Sequence, residues 1–337
     1  MRNIYDLTIK ELEDYFISIN EKKFRAVQVY EALYKRRIKS FDDMTNISKE
    51  VREKLKQDFS FYKIKMLIKQ KGKNVNKYLF ELEDGNKIES VLMFHDYGTS
   101  ICVSSQVGCN MTCAFCESGK LKKVRNLLAY EIVQQILQIE EDINKRITHV
   151  VLMGIGEPFD NYDNVLRFVK IINCGKGIDI GSRHITISTC GVIPGIKKFM
   201  NEEGQVNLAI SLHAPNDTLR SRIMPINKAY PLNELMETIK EYINKTNRRV
   251  TFEYIMLDNV NDSEENAKEL ALLLKGINCY VNLIPYNETE NIEFKRTKEW
   301  KIMKFYDILK KNKINVTIRK EFGGSVDAAC GQLRANN

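Results

Sequence analysis

Apolar positions along the chain follow three successive rhythms. Over roughly the first sixty residues they recur at i, i+3 and i+4, as in LTIKELEDYFISI (7–19) and KFRAVQVYEALYK (23–35), which is the spacing of one helix face. A third segment, SKEVREKLKQDF (48–59), opens on Ser48, a good N-cap, with Glu50 close behind. This predicts a small helical unit over 1–62. Between 63 and 99 the pattern changes to two short apolar runs around Asp84-Gly85-Asn86, read as a β-hairpin linking region because Asp-Gly is a strong tight-turn signal. From about residue 100 short β-branched runs alternate with amphipathic stretches. The runs are ICVSS, THVVLMG, HITIST, VNLAISL, RVTFEYIML and YVNLIPY; five helical patterns separate them, and NVTIRK follows late in the chain. Six such units predict an α/β fold, a partial (β/α)6 barrel of parallel strands over 100–337, with the small helical unit as an accessory domain. In such folds chemistry gathers at the carboxyl ends of the strands.

Composition narrows the picture. The 337 residues are 43% hydrophobic, but no apolar run approaches the roughly 18–20 residues that cross a bilayer, and the amino terminus lacks a signal-peptide core. A cytoplasmic location without a membrane partner is therefore expected, and the eight cysteines read as ligands, catalytic groups or buried thiols rather than as a disulfide framework. A net charge of +8 fits an RNA partner as well as it fits a lysine-rich surface. The Arg36-Arg37 pair and the stretch KLKKVR (120–125) are candidate phosphate contacts, with a solvated surface as the alternative. No heptad run suggests a subunit seam, so a monomer is expected.

The loops after the predicted strands carry the unusual residues. Cys109, Cys113 and Cys116 stand at C-x3-C-x2-C spacing after the first strand. Three thiolates on one loop suit a [4Fe–4S] cluster; zinc is the competitor, but it takes a fourth Cys or His, and His149 is far along the chain beside a strand. After the second strand comes MGIGEP, with Gly156 and Glu157. Ser188, Ser211, His213 and Asn287 are polar groups at later strand ends, suited to a ribose and an adenine, although each alone also reads as a turn or cap residue. Cys174, Cys190 and Cys279 fit buried apolar positions, whereas Cys330 lies in a glycine-rich segment, GGSVDAACGQL.

Over nearly its whole length the chain resembles the RlmN/Cfr family of radical S-adenosylmethionine (SAM) adenine methyltransferases of 23S ribosomal RNA. The stretches that carry the resemblance are CVSSQVGCNMTCAFC, MGIGEP, NYDNVL, ITIST, QVNLAISLHAPNDTLRSRIMPIN, RVTFEYIML, VNLIPYN and DAACGQLR, with FRAVQVYEALYK in the accessory domain. The resemblance implies a [4Fe–4S] cluster on Cys109, Cys113 and Cys116 whose open iron binds SAM, with Gly156, Glu157, Ser188, Ser211, Leu212, His213 and Asn287 as further SAM contacts. It implies two SAM molecules per turnover: one methylates Cys330, and the other yields the 5′-deoxyadenosyl radical that activates the S-methyl group. Cys102 then resolves the enzyme–RNA adduct by forming a transient disulfide with Cys330, and Glu89 serves as the base for the ring proton. An electron donor such as flavodoxin or ferredoxin is implied as a partner.

Within that family LHAPND and LIPYN resemble the branch that methylates carbon 2 of the rRNA adenosine, some members of which also act beside the anticodon of tRNA. The alternatives are the carbon-8 branch, which confers antibiotic resistance, and a non-catalytic RNA-binding paralogue. Glu117 and Lys122-Lys123 depart from the smaller, more glycine-rich residues commoner at those places, and the chain ends at RANN without the longer basic tail of some members, which leaves tRNA as an open second substrate.

Overall fold

A computed structural model describes residues 1–289 and 291–319. Its centre is one ten-stranded sheet: β1 (Lys65–Lys71), β2 (Val75–Glu81), β3 (Lys87–His95), β4 (Gly98–Cys102), β5 (His149–Leu152), β6 (Ile185–Thr189), β7 (Asn207–Ser211), β8 (Val250–Met256), β9 (Cys279–Pro285) and β10 (Val316–Ile318). Spatial order follows chain order from β1 to β10. The first four strands pair antiparallel, and every pair from β4 to β10 is parallel. Because the order never doubles back, the carboxyl ends of β4 to β9 lie side by side along one rim.

Helices return the chain between the parallel strands: α4 (Ala129–Ile143), α5 (Tyr162–Asn173), α6 (Ile193–Phe199), α7 (Asp217–Ile223), α8 (Leu232–Thr246), α9 (Glu264–Leu273) and α10 (Glu299–Lys311). Alternation along each strand sorts the side chains between two faces. Ile187, Leu208, Ile210, Phe252 and Leu283 belong to the main core with the apolar helix faces, for example Ile132, Val133 and Ile136 of α4. Each such side chain contributes roughly 1.5–3 kcal/mol by leaving water. Ser188, Ser211 and Glu253 alternate with these core residues and fall on the other face of the sheet.

The segment read from sequence as a hairpin is continuous with this sheet. The turn at Asp84-Gly85-Asn86 is as expected: Gly85 has φ +80°, and Leu82 N–H donates to the Asn86 carbonyl over 2.8 Å. The additional strand, β1, escapes a period-two pattern because a bulge lies between Met66 and Ile68 and most of its side chains are exposed or half-buried.

The amino-terminal helices α1 (Ile9–Ser18), α2 (Arg25–Tyr34) and α3 (Lys49–Asp58) form as their patterns predict. Thr8 caps α1 in a reciprocal box with Glu11, and Ser48 accepts the Val51 N–H at the start of α3. This unit packs on α4 and α5: Tyr30 and Tyr34 share the main core, Arg37 pairs with Glu140, and Arg167 pairs with Glu11. Burial alone raises the Glu11 carboxyl, but Arg167, Thr8 and Arg2 outweigh it and hold the pKa at about 2 against an ordinary 4.5. A depressed folded-state pKa stabilises the protein above the unfolded value, and that contribution is lost as pH falls through the folded value. Stability should therefore carry a Glu11-dependent decline between pH 4.5 and about 2. Chemical denaturation across that window should show a shallower decline for Glu11→Gln than for the parent chain.

Candidate active site

The loop after β4 is shaped by a backbone crossing. Gly108 has φ +72°, and a Cβ there would stand 2.2 Å from the Lys122 carbonyl oxygen, so only glycine fits. The crossing is closed by Cys109 N–H donating to the Leu121 carbonyl, 2.9 Å, and Cys116 N–H to that of Cys113, 3.1 Å. Cys109, Cys113 and Cys116 are thereby presented to a single cavity, which Gly154, Gly156, Glu157, Ser188, Cys190, Ser211, His213, Glu253 and several apolar side chains also line. Among the described residues no three Cys, His, Asp or Glu side chains are grouped to hold one metal ion. A single zinc needs its ligands about one point, whereas in an iron–sulfur cube each thiolate takes a different iron. His149 begins β5 at the opposite end from the cysteine loop and stacks on His184 at 4.3 Å, so it does not complete a zinc site.

The electrostatics also suit a cationic iron core. Burial pushes the Cys109 thiol up to about 12, and the nearby Cys116 and Glu157 charges add to the rise. Cys113 and Cys116 are raised for the same first reason, burial. Thiolates in such a place need a positive partner, which iron would supply.

Glu157 is buried rather than a solvated loop carboxylate. Its Oε1 accepts the Phe159 N–H at 3.0 Å and its Oε2 the Cys190 N–H at 2.8 Å. Gly156, at φ +110°, lets this turn pass against Gln106, where a Cβ would come within 2.6 Å. Cys190 is buried as expected and lines the cavity as well.

His213 occupies the left-handed region, φ +59°, which costs roughly 1–2 kcal/mol for a side chain with a Cβ. Two strong contacts hold it there: Nδ1 accepts the Ile255 N–H at 3.0 Å, and its carbonyl accepts from Asn261 at 2.8 Å. Burial, then Arg220, lowers its pKa to about 3. The ring is therefore neutral with its proton on Nε2, a hydrogen-bond donor. The Leu212 side chain is fully buried in the core; that residue offers the site only backbone. Asn287 is half-buried two residues beyond β9 and is not among the residues lining the cavity.

Cys102 and Glu89 sit on neighbouring strands. Cys102 pairs in register with Val91, two residues after Glu89. Glu89 is buried, with Oε1 2.8 Å from Lys77 Nζ. Cys102 packs with Val91, Met93 and Ile155 and does not line the cysteine cavity. Cys330 lies outside the described residues. Of the basic stretch after the cluster loop, Lys123 pairs with Asp160 at 2.7 Å and Arg125 with Glu131 at 2.8 Å, so these two charges brace the loop.

Sequence inspection passed over Arg220. It is completely buried, and Nε donates to the Leu212 carbonyl, Nη2 to those of Cys190 and Ser211, and Nη1 to Asn227 Oδ1. An arginine inside a helix pattern reads as surface charge, and only the packing of α7 under the rim reveals it.

Comparison with known proteins adds the decisive observation. Residues 2–60 match the ribosomal RNA large subunit methyltransferase N-terminal domain, and residues 103–271 match the radical SAM superfamily. A Spiroplasma citri protein described as "Probable dual-specificity RNA methyltransferase RlmN" is 53% identical, with 100% of this chain and 98% of that protein covered. Its counterpart in Enterococcus faecalis is 54% identical over 99% and 96%. The chain belongs to the RlmN family of radical SAM methyltransferases. Within solved structures, the crystal structure of a radical SAM methyltransferase from Sphaerobacter thermophilus superposes with a TM-score of 0.94 at 41% identity over the whole of both chains. Streptococcus suis SuiB bound to S-adenosylmethionine shares the fold alone, with a TM-score of 0.51 at 16% identity over 67% of this chain and 51% of that one.

In this RlmN-family chain Arg220 is predicted to be a structural keystone. Arg220→Met keeps bulk but strands several buried acceptors, each at roughly 1–3 kcal/mol. Chemical denaturation should show a loss of about 3 kcal/mol or more, and the reconstituted variant should retain less iron.

Proposed function

We propose that this chain methylates carbon 2 of an adenosine in 23S ribosomal RNA. The observation that carries the reading is the gathering of Cys109, Cys113, Cys116, Glu157, Ser188, Ser211 and His213 around one cavity, in a chain of the RlmN family. Cys109, Cys113 and Cys116 would hold a [4Fe–4S] cluster, which supplies the electron that breaks a C–S bond of SAM. Gly156 and Glu157 form the turn that receives the methionine end, with the glycine letting the turn pack against Gln106. The serine hydroxyls and the Nε2–H of His213 orient the nucleoside end, and Phe115, edge-on to His213 at 4.8 Å, helps exclude water. Asn287 and the Leu212 backbone are assigned to the same set through the family pattern.

Cys330 is the residue assigned to carry the methyl group, and Cys102 the thiol that releases the product through a disulfide. Glu89 takes the ring proton; its buried contact with Lys77 fixes the side chain on the strand next to the one that carries Cys102. RNA is held through shape and phosphate while the target base leaves its stack. The relatives' name, dual-specificity RNA methyltransferase, fits a second RNA substrate, and LHAPND with LIPYN favours carbon 2 over carbon 8.

Anaerobically reconstituted protein given SAM and a reductant should release 5′-deoxyadenosine; an intact cluster with no cleavage would remove the enzyme reading. Nucleoside mass spectrometry of treated rRNA should find 2-methyladenosine, and 8-methyladenosine in its place would move the chain to the other branch. Cys330→Ala should abolish both RNA methylation and the methylated-cysteine mass shift. Cys102→Ala should accumulate a covalent protein–RNA adduct, visible as a gel-shifted band that survives denaturation.

A further inference from the structure

Glu253 is a buried acid for which the reaction described above has no use. It lies on β8 and is 4% exposed. Its Oε1 accepts from Asn282 Nδ2 at 3.0 Å, while Oε2 is buried with no hydrogen-bond partner. Leaving a buried carboxylate oxygen unpaired costs free energy unless a ligand pairs it. Glu253 lines the cysteine cavity and is the register partner of Ser211 on β7 and of Asn282 on β9. These three polar residues form a row across neighbouring strands, and Oε2 is a fully buried acceptor in that row with no protein donor.

The position of the row identifies the donor. The cysteine loop follows β4, and the turn holding Glu157 follows β5, whereas β8 stands three strands beyond β5 in the sheet. A SAM molecule with its methionine end at the cysteines therefore brings its nucleoside end to Glu253. The apolar walls there, Ile255 and Ile284, suit the adenine plane. The ribose hydroxyls are the donors on that end that match a lone carboxylate oxygen. We propose that Glu253 binds the ribose of SAM, with Oε2 accepting a hydrogen bond from a ribose hydroxyl. The inference rests on the reading of the cavity as a SAM site. Burial raises the Glu253 carboxyl, and the Arg319 charge and the Asn282 amide act in the opposite direction.

Glu253→Gln tests this without changing shape. Asn282 donates, so it selects the glutamine oxygen and leaves the NH2 group where Oε2 stood; a ribose hydroxyl can then meet it only as an acceptor, without the charge assistance of a carboxylate. SAM affinity of the reconstituted full chain is measured by calorimetry, together with that of the 2′-deoxy and 3′-deoxy forms of SAM. The variant should bind SAM about tenfold or more weakly than the parent, and this difference should vanish for one deoxy form and persist for the other. The thermal midpoint without SAM should be unchanged or higher, because a buried charged group becomes a neutral amide. Equal SAM affinity of variant and parent overturns the inference, as does an equal loss against all three ligands or a lowered midpoint without SAM. A parent chain with intact cluster that binds no SAM overturns the reading of the cavity itself, and is distinguishable from these outcomes.

Discussion

The rim of this barrel depends on one guanidinium. Arg220 lies beneath the carboxyl ends of β6 and β7 and meets carbonyls from both, together with Asn227. Planar, with five donors in a fixed fork, it joins backbone acceptors that no lysine could serve together. The consequences spread outward. The Cys190 carbonyl is taken by Arg220 and its N–H by Glu157, so the loops after β5 and β6 are joined through one residue. Ser211 and Leu212 are fixed the same way, which sets where the chain turns into the left-handed His213.

That arrangement puts a buried cation close to groups whose charges it controls. It helps keep His213 neutral and lowers the otherwise raised thiol of Cys113. The cavity is thus electrostatically divided. Cysteines and Glu157, raised by burial, are poised for a cationic ligand, while the neutral imidazole presents a donor. A low-polarity wall of Met111, Phe115, Ile255 and Ile284 strengthens these interactions by excluding water.

Charge elsewhere is spent on holding units together. Arg37 and Arg167 join the amino-terminal helices to α4 and α5, and Lys123 and Arg125 secure the chain after the cysteines. These paired cations are not free to meet RNA phosphate, although the net excess of +8 is unchanged by pairing.

The sequence alone determined the sheet-and-helix order, because period-two and period-3.6 apolar patterns report local geometry directly. Ser48 as a cap, the Asp84-Gly85 turn and the three-cysteine loop were legible for the same reason: each signal is complete within a few residues. Strand β1 was not, since a bulge broke its alternation. Which polar residues are buried, and against what, is settled by packing between distant segments. Glu157, Glu253 and Arg220 find buried partners that lie 33, 29 and 30 residues away. Such long-range pairings depend on the parallel crossings that bring distant strand ends to one rim, and no short window of sequence contains them.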